Sequence, residues 1–310
     1  MKKISVVSGC YNEEGNVEEM YRQVKDIFKD LPQYTYEYIF IDNASKDRTV
    51  EILKSIAKTD KNVKIIVNTM NFGHIRSPYY GIMQAKGDAV IYMCSDLQEP
   101  PVLIRDFIRK WETGSKIVVG VKSKSKENFI MFFIRKAYYK LLNFFSETKQ
   151  IENFTGFGLY DRIVVNIMKE IDDPYPYLRG LISEIGCDIE TIEYNQPKRI
   201  NGVTKNTFYT LFDMAMLGFV NNSKLPLRLA IFIGFIFSAV CFFLGITYLI
   251  YKLLFWDRFQ LGIAPLVIGL FFFFSIQLLF VGILGEYIGA IYTQVRKRPL
   301  VIEKERINFD

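Results

Sequence analysis

Asp96, Gln98 and Glu99, in the stretch YMCSDLQEPP from Tyr92 to Pro101, are hard oxygen donors set directly after an apolar run and closed off by two prolines. A carboxylate and an amide at this spacing suit a divalent cation, Mg2+ or Mn2+. Such ions prefer oxygen and often take only one or two ligands from protein, leaving the rest to phosphate and water. In an extended segment, residues two apart point to the same face, so Asp96 and Gln98 are expected to share one ion. The competing reading is a plain strand-end turn. Three more polar clusters have the same character: Tyr11-Asn12-Glu13, Asp42-Asn43, and Asn71 to Arg76, which holds the single histidine, His74.

Each cluster follows a segment rich in β-branched and aromatic residues. Five such strands are expected, at Ile4–Gly9, Tyr36–Ile41, Val63–Asn68, Ala89–Cys94 and Lys116–Val121. Helical periodicity lies between them, in Glu14–Phe28 behind an Asn12 cap, in Arg48–Lys58 behind Asp47, and in Pro101–Trp111. Alternating strands and helices imply parallel pairing through right-handed crossovers, hence an open α/β sheet with ligands beyond the carboxyl ends of its strands. Neither GxGxxG nor GxxxxGK[ST] occurs, which excludes the dinucleotide fingerprint and the Walker cradle. Carboxylates without such a cradle fit a ligand whose phosphates are held through a cation.

The rest of the chain meets lipid. Of 310 residues half are hydrophobic and 27 are Phe, too apolar a composition for a wholly soluble protein. The 23 residues between Arg228 and Lys252 carry no charge, and as a helix they would reach roughly 35 Å, enough to span a bilayer. A second charge-free run extends from Phe259 to Gly285. A transmembrane hairpin is therefore expected at 227–295. Arg296, Lys297, Arg298, Lys304 and Arg306 follow it, against Lys252 and Arg258 in its loop, which puts the 296–310 tail on the cytoplasmic side with everything before the hairpin. The opening MKKISVVSGCYNEE does not read as a signal peptide. Cys10, Cys94, Cys187 and Cys241 show neither a CxxC pair nor a histidine cluster, so no zinc site or disulfide framework is expected. Residues 128–145 combine seven aromatic residues with Arg135, Lys136 and Lys140, the make-up of an interfacial helix lying in the headgroup layer. A second amphipathic helix is expected at 205–226, leaving 1–204 as the α/β domain.

In order along the chain, VVSGCYNEE, FIDNASKDRT, NFG, AKGDAVIYMCSDLQEPP, LRG (Leu178 to Gly180), GVTK and GEYIGAIYTQVRKRP resemble the inverting family 2 glycosyltransferases. The similarity is to the branch that loads sugars onto polyprenyl phosphate, the dolichol-phosphate mannose synthase and bactoprenol glucosyltransferase group. It implies a GT-A-like (Rossmann-like) nucleotide-sugar domain in which Tyr11, Glu13 and Asp42 hold base and ribose, with Asp96 and Gln98 on the metal. It also implies that Arg199 and Lys205 contact phosphate, Arg135 joining them at the lipid phosphate, and that catalysis rests on Asp96, Arg199 and Lys205. The implied partners are a UDP- or GDP-sugar carrying glucose, N-acetylglucosamine, galactose or mannose, an undecaprenyl-type phosphate acceptor, and membrane lipids at a multi-pass location in the plasma membrane. No nucleic acid is expected, and homo-oligomerisation is left open.

Three positions depart from the family pattern. Cys94 stands for the first acid of D-x-D, Asn43 for the second acid of D-D-G, and Gly156 for the acid proposed as base in relatives. A lipid monophosphate, with a second pKa near 6, attacks already ionised and needs no base. Asp161, in YDR, reads as a helix start rather than a base. Two other readings stand beside transfer: a membrane-anchored, non-catalytic nucleotide-sugar scaffold, and a processive polysaccharide synthase, which would need a Q-x-x-R-W element absent here.

Overall fold

The computed structural model describes residues 1–124, 151–197, 225–255 and 263–309. The expected interfacial helix at 128–145, most of the 205–226 segment, and with them Arg135, Arg199 and Lys205 lie outside the described residues.

In chain order the elements are β1 (Lys2–Cys10), α1 (Val17–Lys29), β2 (Tyr34–Asp42), α2 (Thr49–Thr59), β3 (Val63–Asn68), α3 (Gly73–Gln84), β4 (Ala89–Cys94), α4 (Ile104–Glu112), β5 (Ile117–Lys124), β6 (Phe154–Asp161), α5 (Arg162–Ile171), α6 (Leu178–Glu184), β7 (Ile189–Asn195), α7 (Leu225–Leu254), α8 (Ile263–Arg296) and β8 (Glu303–Ile307). The strands form one sheet in the order β7-β5-β6-β4-β1-β2-β3-β8.

All five expected strands are present, but the sheet is mixed. β1 pairs in parallel with β2 and β4, and β2 with β3, while β6 runs against both β4 and β5 and β8 runs against β3. The two reversed strands carry little hydrophobic signal, since β6 (FTGFGLYD) is interrupted by glycines and β8 (EKERI) is almost wholly charged. β8 is an edge strand, where charge discourages pairing with other chains. The α/β sheet thus recruits its last strand from beyond both long helices.

Helices cover both faces. On one, Met20 and Val24 of α1, Leu53 of α2 and Phe107 and Trp111 of α4 pack on the sheet. On the other, Tyr79 and Ile82 of α3, Val164 and Met168 of α5 and Ile182 of α6 do so. Burial of this kind contributes about 25 cal/mol per Å2 of apolar surface and holds the strand ends in register. α1 starts later than its periodicity predicts. Asn12 does not cap it but sits at φ 54°, its side-chain oxygen accepting the Lys46 N–H at 2.8 Å. Asp47 accepts the Thr49 N–H at 3.0 Å at the start of α2, as expected.

Helix α7 has 30 residues and α8 has 34, and Phe237 of the first meets Phe272 and Phe273 of the second, each at 6.2 Å between ring centroids. Among the described residues one segment, Phe272–Arg296, is long and apolar enough to cross a membrane.

Candidate functional site

The parallel register brings Cys10 opposite Asp42 and Gly9 opposite Cys94, so the loops after β1, β2 and β4 emerge side by side. The loop after β1 is fastened to the loop after β2. The Asn12 N–H donates to Ser45 Oγ and the Glu13 N–H to Thr49 Oγ1, both at 2.8 Å. Tyr11 and Glu13 are half-buried at this edge, and Glu13 accepts from Asn16 Nδ2 at 2.6 Å. Asp42 is fully buried, and its carboxylate accepts both the Ser45 hydroxyl and the Ser45 N–H, the latter at 2.9 Å. Burial pushes its pKa up against those hydrogen bonds. Asp42 thus shapes the loop that presents Tyr11 and Glu13.

Asn43 explains why an amide replaces the second acid. Its Nδ2 donates to Asn71 Oδ1 at 2.8 Å and to the Gly73 carbonyl at 3.1 Å, while its Oδ1 accepts the Phe72 N–H at 2.8 Å. A carboxylate only accepts, so it could not make the first two bonds. The side chain locks the β3–α3 loop at the same edge.

Asp96 and Gln98 are both half-exposed beyond β4. The segment is a turn rather than the extended strand expected. Leu97 has φ 58° and is buried, and Asp96 Oδ1 accepts the Gln98 N–H at 3.2 Å. An Asx-type turn, not strand alternation, therefore sets the backbone between the two residues. One carboxylate and one amide fit a hard divalent ion that completes its shell with phosphate and water. Among the described residues no group of three or more His, Cys, Asp or Glu side chains could hold a metal by itself. Glu99 points inward instead. It is 3% exposed and accepts the Cys94 N–H and the Thr155 hydroxyl, each at 2.7 Å. Burial raises its pKa. Cys94 does not replace the missing acid, since burial and the Glu99 and Asp96 charges push its thiol well above the ordinary range and keep it neutral.

β6 runs opposite to β4, so its beginning shares this edge and its end does not. Asp161 lies opposite Ala89, the first residue of β4, at the far edge of the sheet. There it accepts from Trp111 Nε1 at 2.7 Å and from the Ile163 N–H at 3.0 Å, capping α5. It is a helix start. Gly156, at the near end, has φ +104°, and a Cβ there would meet Tyr92 and Leu178 at 3.3 Å. Thr155 lines a pocket of about 470 Å3, mouth included, with His74, Pro78, Tyr92, Tyr177 and Arg179 among its other walls.

Lys122 escapes the sequence reading because it heads a basic run leading toward residues 128–145. Burial lowers its pKa first of all; the Glu99 carboxylate and, more weakly, Asp96 act to raise it, while the Arg179 charge lowers it further. The strand-end rule that exposes the other clusters also points to Lys122, since β5 runs parallel to β4 two strands away and Lys122 lies near its carboxyl end.

Residues 5–172 match the profile of Glycosyl transferase family 2. The chain belongs to that family. It is a glycosyltransferase. Among its relatives, the bactoprenol glucosyl transferase of Shigella phage SfII is 33% identical over 98% of both chains. The glycosyltransferase YkcC of Bacillus subtilis is 35% identical over 99% of this chain and 94% of its own. Among solved structures, glucosyl-3-phosphoglycerate synthase of Mycobacterium tuberculosis, in complex with Mn2+, UDP and phosphoglyceric acid, aligns with a TM-score of 0.50 at 17% identity, covering 71% of this chain and 76% of that one. Mannosyl-3-phosphoglycerate synthase of Rubrobacter xylanophilus aligns with a TM-score of 0.51 at 13% identity, covering 69% and 71%. These two likenesses establish the GT-A-like α/β fold of this family 2 glycosyltransferase.

Proposed function

We propose that the chain transfers a hexose from a UDP- or GDP-sugar to polyprenyl phosphate, of the undecaprenyl type, at the cytoplasmic face of the membrane. The observation that carries this reading is the Asp96–Gln98 turn standing at the edge shared with Tyr11 and Glu13, while Gly156, across from it, offers no acid. A site built to hold a diphosphate but lacking a base suits an acceptor that arrives ionised. The full-length relatives named bactoprenol glucosyl transferases agree with it.

In this reading Tyr11 and Glu13 orient the nucleoside, on a loop shaped by Asp42. Asp96 and Gln98 hold the Mg2+ or Mn2+ ion, which when bound supplies positive charge to the leaving diphosphate. The synthase from M. tuberculosis was crystallised with Mn2+ and UDP. Lys122 adds a cation beside Asp96 and Glu99. Arg199 and Lys205 meet phosphate and Arg135 the lipid head, as the family resemblance implies. The acceptor oxygen attacks the anomeric carbon in line as the carbon–oxygen bond to the diphosphate breaks, and no proton need be removed.

The tail supports two membrane crossings. Because β8 is paired with β3, the residues after α8 lie on the same side as the α/β domain. A chain that leaves and returns to one side crosses an even number of times. If α8 spans, α7 spans with it. The basic residues after α8 make that side cytoplasmic.

A non-catalytic nucleotide-sugar scaffold is the second reading, favoured by Gly156 and by the neutral Cys94 thiol. The purified full chain, given each of UDP-glucose, UDP-N-acetylglucosamine, UDP-galactose and GDP-mannose with undecaprenyl phosphate, separates the two. Mass spectrometry of the lipid extract should show one hexosyl-phospholipid; nucleotide binding with no product from any donor would favour the scaffold.

A further inference from the structure

The pocket lies at the start of β6, on the same sheet edge as the Asp96–Gln98 turn. Its walls are the first turns of α3, with His74, Ile75 and Pro78, and the start of α6 with the residues before it, Pro176 to Arg179; Tyr92 and Thr155 line it from the sheet. Thr155 links it to the metal-binding turn, since its hydroxyl bonds Glu99, which also takes the Cys94 N–H. One wall of the pocket is therefore hydrogen-bonded to the residue next to Gln98.

The opposite side faces the membrane-spanning helix. Gln294, near the end of α8, donates to Asp173 Oδ1 at 2.9 Å, just before the Pro176–Arg179 wall. Arg76 of α3 donates to the Pro299 carbonyl, just after α8, at 2.5 Å. The helix that would emerge from the bilayer is thus pinned to both walls. The pocket thus lies between residues fastened to the end of α8 and Thr155, which is bonded to Glu99 beside the Asp96–Gln98 turn.

Arg179 supplies the chemistry. Among the described residues it makes no ion pair, and its charge acts on Lys122, which also lacks one. Arg179 and Lys122 carry like charges that repel, and an anion between them relieves that repulsion. An arginine presents a planar fork that matches phosphate. The surrounding Tyr92, Tyr177, Pro78 and Leu178 suit the first isoprene unit.

We propose that this pocket receives the phosphate head of the lipid acceptor, with Arg179 as its contact. This rests on the transfer reading above. The test uses the full chain in lipid nanodiscs, as wild type, Arg179→Gln and Arg179→Lys, with UDP binding as the check on folding. Wild type should bind undecaprenyl phosphate in preference to undecaprenol. Arg179→Gln should lose that preference and raise the acceptor KM about ten- to hundred-fold with the donor KM unchanged, and Arg179→Lys should recover part of it. Unchanged acceptor binding and KM in Arg179→Gln would overturn the proposal, as would a rise confined to the donor KM, which would make the pocket a sugar subsite. Phosphate-selective binding through Arg179 in a wild-type chain that makes no product would uphold the pocket and remove the transfer reading.

Discussion

Glu99 accepts the Thr155 hydroxyl at 2.7 Å, and by this single bond the turn after β4 is tied to the start of β6. The second carboxylate oxygen takes the Cys94 N–H, so Glu99 acts as a buried brace between the Asp96–Gln98 turn and the pocket beside it.

Burial raises the Glu99 pKa above its ordinary 4.5. A carboxyl with a raised folded pKa binds its proton more tightly in the folded chain. Its contribution to stability is therefore full below the unfolded value and is lost as pH rises through the folded pKa. Glu99→Gln stays neutral and can still accept from Cys94 while donating to the Thr155 hydroxyl. The variant is expected to be more stable than wild type near pH 7, with the advantage shrinking toward pH 4.5. Thermal unfolding at the two pH values checks this; a Gln variant less stable at neutral pH would mean that the charge itself holds the brace.

Asn43→Asp restores the relatives' acid but removes two donors from a buried loop. It leaves the Asn71 side-chain oxygen and the Gly73 carbonyl facing a carboxylate, a loss of about 1 to 3 kcal/mol for each group left unsatisfied. Denaturant unfolding should show the destabilisation, together with weaker nucleotide binding. Wild-type stability in Asn43→Asp would show that water replaces both bonds.

Gly156→Asp is expected to add no activity. At φ +104° any L side chain is strained, at a cost of about 1 to 3 kcal/mol, and the new Cβ would press on Tyr92 and Leu178. Gly156→Ala should lose comparable stability, which separates backbone strain from charge. A large rise in kcat for Gly156→Asp would instead reveal a missing base.

Much of this arrangement is legible in the sequence where hydrophobic pattern and strand-end polarity coincide. The β1 to β5 segments each bury an apolar run, and the clusters at Tyr11, Asp42, Asn71 and Asp96 follow four of them. What escaped was set by tertiary contact. β6 is buried along nearly its whole length but broken by Gly156 and Gly158, and β8 is built from EKERI, so neither shows a hydrophobic run in the sequence. Lys122 and Arg179 acquire their place only when an antiparallel β6 brings Thr155 to the edge where β4 ends. The pattern predicts an extended segment for Asp96 and Gln98, and the backbone between them is instead a turn through Leu97 at φ 58°.

The central claim is that Asp96 serves glycosyl transfer onto a lipid phosphate. Its most direct test measures transfer of labelled sugar from the nucleotide donor to undecaprenyl phosphate by wild type and Asp96→Asn, with and without a chelator. Asp96 is half-exposed on a turn, so the Asn variant should fold normally. Wild type should yield lipid-extractable label that chelation abolishes and Mn2+ or Mg2+ restores, and Asp96→Asn should lose nearly all of it. Undiminished, metal-dependent transfer by Asp96→Asn would contradict the account.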